Sequence, residues 1–340
     1  MNQQSIKLTL GASLVCSGAL FSAYLAATEV ELSAQQYANR GMIYADEFPG
    51  LASLCDIAKP FKIAGQRHKG VKKTAQVKKK KRSKTVLKPL KVFDNLYFVG
   101  TGRVSSWVIK TSAGLIVIDA LNNNDQAEKY IEKGLIQLGL DPADIKYLII
   151  THGHGDHYGG QEYLVNKYHP KVVMSATEWS ILERPELEIS NPRWGVRPVR
   201  DVSIQDGDTL SLGDTEIQLY VTPGHTPGTL SLIFPVYDQQ QKHMVGLWGG
   251  TGLNYGPNKA RILAYTQSAE KFRLNAAREG VDVFMSNHPG RDGSAQKMTN
   301  FSLRLAGETH SYVIGKERVL HAFDLLRDCT RAQAMRISDG

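Results

Sequence analysis

Residues 145–160, IKYLIITHGHGDHYGG, carry a largely apolar run straight into three histidines and an aspartate. The run reads as a strand buried on both faces, as in parallel sheets covered by helices. Polar side chains at the end of such a strand lie where α/β proteins place their ligands. The feature therefore asks for a covered sheet with a polar loop at its edge.

The rest of the chain supplies that sheet. NLYFVGT (95–101) and SSWVIKT (105–111) are short β-rich runs with a turn between them. GLIVIDAL (114–121) is a continuous apolar strand. Residues 124–140 space Ala127, Ile131, Leu135 and Leu138 as a helix does, with Gly139 and Pro142 as stop signals. A helix over 159–168 and a strand over 171–176 follow. The order strand, helix, strand, helix, strand predicts an α/β layer structure. Residues 177–200 are irregular and Pro-containing, and read as a surface excursion near a site. Residues 208–222 form a hairpin turning at Gly213-Asp214. Strands over 229–236 and 243–250 come next, then a helix over 264–280, a core strand over 281–287 and a C-terminal helix over 315–335.

The 340 residues suffice for one large domain or two modest ones. Residues 1–27 have the short basic start, apolar stretch and small-residue end of a secretory signal peptide. The other reading is an anchor helix, since about 20 apolar residues can span a bilayer. The expected location is periplasmic or secreted. The net charge of +8 is local, because residues 66–88 hold 11 Lys or Arg and no acid. Without them 30 basic residues face 33 acidic ones. Such a run reads as a flexible linker or insertion over 65–88. It can touch an anionic surface weakly, but lacks the aromatics that specific nucleic-acid recognition would use. It sets the N-terminal segment 28–64, which reads as helical over ELSAQQYANR, apart from the main domain, 89–340. Past the signal two cysteines remain, Cys55 and Cys329. An oxidising compartment permits a bridge, and two buried thiols fit the sequence equally.

In THGHGDHYGG, His152 and His154 can converge on one metal from a bent loop. Asp156 and His157 diverge from that point and can serve a second metal close by. His225, in VTPGHTPGTL, and His288, in SNHPG, each follow a strand and precede turn residues. One set is then His152, His154 and His225; the other is Asp156, His157 and His288. Three protein ligands each leave room for water, the mark of a catalytic site, and imidazole with one carboxylate suits zinc. His68, His169, His243, His310 and His321 read as ordinary solvated side chains.

The motif H-x-H-x-D-H resembles that of the metallo-β-lactamase superfamily, as do Asp119 in VIDAL, DGDTLSLG and TPGHTPGTLSL, over roughly Leu90 to Arg291. The resemblance implies an αββα sandwich, two mixed β-sheets flanked by helices, with Asp119 as structural support of the metal loop. Most dizinc members carry a bridging aspartate where this chain has Gly249-Gly250-Thr251, and no acid occurs between Asp238 and Glu270. That is similar to the third subclass of zinc β-lactamases. The loop WGGTGLNYG departs from the serine-containing substrate loop of that subclass.

What this implies is a secreted hydrolase with two Zn2+ ions that activates water to open a cyclic amide. Asp156 would orient the nucleophile and take its proton. Asn254, Tyr255 and Trp248 are the candidate substrate contacts after the strand, with Trp194, Arg193 and Arg197 from the excursion. Tyr158 packs on the ligand helix. A lactone or ester hydrolase on the same metals is the alternative. A metal-dependent nuclease or nucleic-acid binder is more distant, since it rests only on the basic run. The expected partner is a small-molecule substrate.

Overall fold

The structure, a computed structural model, describes residues 32–63 and 87–338. The signal-like segment, Cys16 and nearly all of the basic run lie outside the described residues.

Seven strands form the first sheet, in sequence order: β1 (Leu90–Lys91), β2 (Leu96–Phe98), β3 (Trp107–Thr111), β4 (Gly114–Ile118), β5 (Ile145–Ile149), β6 (Lys171–Ser175) and β7 (Val202–Ile204). Strands β1 to β4 pair antiparallel and β4 to β7 parallel. The second sheet runs β12 (Val283–Ser286), β11 (Gln241–Trp248), β10 (Leu230–Asp238), β9 (Thr215–Val221), β8 (Thr209–Leu212). It is antiparallel except for the β11–β12 pair.

Strand alternation builds three apolar layers. Ile116 and Ile118 of β4 face inward with Trp107, Leu219, Leu232 and Phe234, filling the space between the sheets. Leu115 and Val117 face outward, onto Ile131, Leu135, Leu164 and Trp179 of the covering helices. On the far side Tyr220, Ile233, Trp248 and Phe284 pack against the helices Lys259–Arg278 and Lys316–Met335. This is the sandwich of two mixed sheets between helices that the resemblance implies.

The N-terminal segment is not a separate body. Its helix, Ala34–Met42, lies on Lys316–Met335, with Arg40 paired to Asp328 at 3.2 Å. Cys55 is bonded to Cys329. Gly41 makes room for that bridge, since a Cβ there would fall 2.3 Å from the Cys329 sulfur. The sequence set this segment apart because the basic run follows it; it packs on the distant C-terminal helix and also meets Phe284 of β12, Arg291 and Tyr255.

Candidate metal centre

The site lies where the parallel strands end. Past β5 the chain turns through His152 and His154 into the short helix Gly155–Tyr158, which carries Asp156 and His157. His225 sits in the turn between β9 and β10, and His288 just after β12. The structure brings all six together as two sets. The ligand atoms of His152, His154 and His225 lie within 4.8 Å of one another, and so do those of Asp156, His157 and His288.

In four of the five imidazoles the second nitrogen explains why the first is free. His225 Nδ1 donates to Gly252 O at 2.6 Å, and His288 Nδ1 to Arg103 O at 2.8 Å. His157 Nδ1 donates to Asp119 Oδ2 at 2.7 Å. His152 Nδ1 faces Thr151 Oγ1 at 3.2 Å, and the Thr151 hydroxyl in turn donates to Asp119. Each of these hydrogen bonds fixes the tautomer whose Nε2 bears a lone pair. His152 Nε2 and His225 Nε2 then face each other at 3.2 Å, and His154 Nδ1 is 3.1 Å from His225 Nε2. Lone pairs at that separation repel unless a cation joins them. His157 Nε2 is buried with no hydrogen-bond partner. The donors thus fit divalent metal ions.

Burial pushes His152 and His225 well below the usual histidine range, and His154 and His288 down to about 4. These four imidazoles are neutral at pH 7 and able to coordinate. His157 differs: burial pushes it down, but the Asp119 and Asp156 carboxylates together outweigh burial and raise it. For Asp156 burial pushes upward, and His157, His288 and His154 outweigh it and keep the carboxylate low.

Asp119 is wholly buried and has a left-handed backbone, φ 65°. Its carboxylate accepts from Thr151 N at 2.8 Å as well as from His157. One side chain therefore joins the end of β4, the end of β5 and a ligand.

The candidate substrate residues separate. Trp194 lies beside the first set, its ring 6.2 Å from the His154 ring and nearly parallel to it. Asn254 and Tyr255 follow β11 on the loop that carries Gly252, and the Arg261 guanidinium lies 3.8 Å over the Tyr255 ring. Trp248 is a correction: it is 1% exposed, among Phe272 and Phe323, with Nε1 donating to Tyr265 Oη at 2.8 Å. As the last residue of β11 it faces the helices rather than the mouth of the site. Arg197 is another, since its guanidinium donates to the carbonyls of Leu182 and Arg184 and braces the excursion. Arg193 is exposed. Tyr158 is buried in the layer under the first sheet, as expected. His310, read as solvated, is buried and stacked on Phe93, with Nε2 bonded to Val92 O.

Two residues not singled out in the sequence shape the site. Asn287 Nδ2 donates to Gly249 O at 2.6 Å and Thr151 Oγ1 at 3.0 Å, tying the ends of β5, β11 and β12 together. Its signal was its place before His288. Arg261 donates to the carbonyls of Gly224 and His225 and pairs with Glu188 at 2.7 Å. It binds the His225 loop to the 177–200 excursion through Glu188, and no spacing announces it.

A sandwich of this topology, with two sets of three ligands at the strand ends, defines a class of metal-dependent hydrolases. Residues 99–238 match the family described as the metallo-beta-lactamase superfamily. A hydroxyacylglutathione hydrolase of Rhodopseudomonas palustris is 31% identical over 196 residues, 52% of this chain and 67% of that protein. An acyl-coenzyme A thioesterase of Gallus gallus is 26% identical over 212 residues, covering 56% and 74%. The crystal structure of a subclass B3 metallo-beta-lactamase of Bradyrhizobium japonicum superposes with a TM-score of 0.59 at 27% identity, covering 72% of this chain and 93% of that one. The matched stretch spans only 30% of the length of another such relative, the hydroxyacylglutathione hydrolase of Synechocystis. The chain belongs to the metallo-beta-lactamase superfamily.

Proposed function

We propose that the chain is a secreted dizinc hydrolase that opens cyclic amides in the manner of a β-lactamase. The observation that carries this reading is the crowding at Gly249 and Gly250. A Cβ at Gly249 would fall 1.7 Å from Leu230 O, and one at Gly250 2.5 Å from the His225 Cβ. No carboxylate can occupy either position, so the two sets stand without a bridging acid, as the resemblance to the third subclass of zinc β-lactamases implies. The Bradyrhizobium structure, of subclass B3, supports it. Secretion is supported by the Cys55–Cys329 bridge, which persists in oxidising compartments.

His152, His154 and His225 would hold one ion and Asp156, His157 and His288 the other. Bound zinc supplies a nucleophilic water at neutral pH and polarises a carbonyl. The chain's own residues do the positioning. Gly252 O, Arg103 O, Asp119 and Thr151 aim four imidazoles, and Asp156, partly open to solvent, offers an oxygen to orient the nucleophile and receive its proton. Trp194 forms an apolar wall beside His154 against which a ring can lie.

A second reading, hydrolysis of a thioester, ester or lactone on the same centre, is favoured by the hydroxyacylglutathione hydrolase and thioesterase relatives. Turnover of a penicillin, a cephalosporin, a carbapenem, an acyl lactone and an acyl thioester by zinc-loaded protein separates the two. Chelator-sensitive opening of a β-lactam, lost in Asp156→Asn, is the expected result. Thioester or lactone turnover alone would refute the first reading in favour of the second.

A further inference from the structure

We infer that Glu178 is the positioning residue of the three-histidine set, a single buried carboxylate that fixes both loops carrying its ligands. This rests on the metal reading above. Glu178 lies on the helix Ala176–Leu182, just past β6, and is 1% exposed. One oxygen accepts from Gly153 N at 2.6 Å and the other from Gly228 N at 2.7 Å. Gly153 separates His152 from His154, and Gly228 lies three residues beyond His225. Two fingers of one carboxylate thus reach the two chain segments that meet at the ligand atoms.

The surroundings are built for this contact. A Cβ at Gly153 would lie 2.6 Å from Glu178 Oε2, so only glycine lets the amide approach. Gly228 is held from both sides, its N–H by Glu178 and its carbonyl by the Ser175 hydroxyl at 2.6 Å. Ser175 also accepts from Glu178 N at 3.1 Å, which fixes the first turn of the helix and hence the carboxylate. The second set is held otherwise, His157 by Asp119 and His288 by Arg103 O. The Glu178 contact therefore acts on one set of ligands and not on its neighbour.

In Glu178→Gln the amide NH2 must face one of the two backbone N–H groups, so one loop is released while the shape stays. Outer-shell partners of metal ligands are worth roughly 10–100-fold in affinity. The test is titration of the metal-free protein with cobalt(II), followed by its visible absorption, with His225→Ala to identify the three-histidine binding event. Glu178→Gln should weaken that event roughly 10–100-fold and leave the other within about threefold, beyond any change in the melting temperature of the metal-free protein. Gly153→Ala displaces the same carboxylate and should reproduce the selective loss. Combined with Glu178→Gln it should add little, as for residues sharing one interaction. If Glu178→Gln does not fold, Gly153→Ala decides by the same criterion. Equal weakening of both events, or none, would overturn the inference. Wild-type protein that takes up no cobalt would overturn the metal centre itself, a distinguishable result.

Discussion

Replacing Asp119 by asparagine tests how the second set of ligands is prepared. The carboxylate accepts from Thr151 N at 2.8 Å, from the Thr151 hydroxyl at 2.9 Å and from His157 Nδ1 at 2.7 Å. Asparagine keeps the shape but has one accepting oxygen. If that oxygen stays on Thr151 N, the amide NH2 faces His157 Nδ1. The imidazole then moves its proton to Nε2 and loses the lone pair that would bind metal. Loss of such a partner costs roughly 10–100-fold in metal affinity, about 1.4–2.7 kcal/mol. The folded protein also loses a charge-assisted hydrogen bond in a wholly buried place, about 1.5–3 kcal/mol. Zinc titration by calorimetry, with denaturant unfolding of the metal-free protein, reads both quantities. The His157 set should weaken while the three-histidine set holds within about threefold, since Asp119 reaches His152 only through Thr151. A folded Asp119→Asn protein whose two sites bind as before would refute the tautomer argument.

Other substitutions separate the roles assigned above. Trp248→Phe should cost about 1–3 kcal/mol by leaving the Tyr265 hydroxyl without its donor, yet leave KM unchanged, whereas Trp194→Ala should raise KM with little loss of stability; steady-state kinetics beside thermal melts decide. Arg304 holds the Asp238 carboxyl below its usual range, chiefly through a hydrogen bond, so this carboxylate favours the fold above about pH 4 and the effect is lost as pH falls through its lowered value. Arg304→Gln should therefore lose about 1 kcal/mol at pH 7, with the gap to the parent closing in acid, as urea unfolding across pH will read. The double variant Cys55→Ser/Cys329→Ser should unfold about 2–4 kcal/mol more easily, and reductant should bring the parent to the same midpoint.

The six candidate ligands, which the structure gathers into two sets, were legible because each lies within a few residues of a recognisable strand end, with glycine or proline nearby. The layers were legible for a related reason: β4, and β5 from Leu148 on, are apolar on both faces, which only a covered sheet accommodates. Trp248 was misplaced by the same logic. It ends a strand leading to the site, but alternation along β11 decides which way it faces, and the sequence does not fix that phase where both faces are buried. The N-terminal segment was set apart because its partners lie far along the chain. Arg40 finds Asp328 and Cys55 finds Cys329, contacts that no local pattern encodes.

The motif supplies donors, and the fold decides which nitrogen of each donor is free. His157 needs a carboxylate from β4, His225 a carbonyl from the loop after β11, His288 a carbonyl from the turn before β3 and His152 a hydroxyl from its own strand end. Both sheets therefore share in setting the tautomers. A sliding of one sheet against the other would break the His288 contact with Arg103 O, which joins the two sheets, before it moved a ligand by its own width. The large apolar layer between the sheets, from Trp107 to Phe234, is thus a condition of the chemistry as well as of stability. Hydrogen-bond partners at 2.6–2.8 Å from three chain segments require that layer to be well packed.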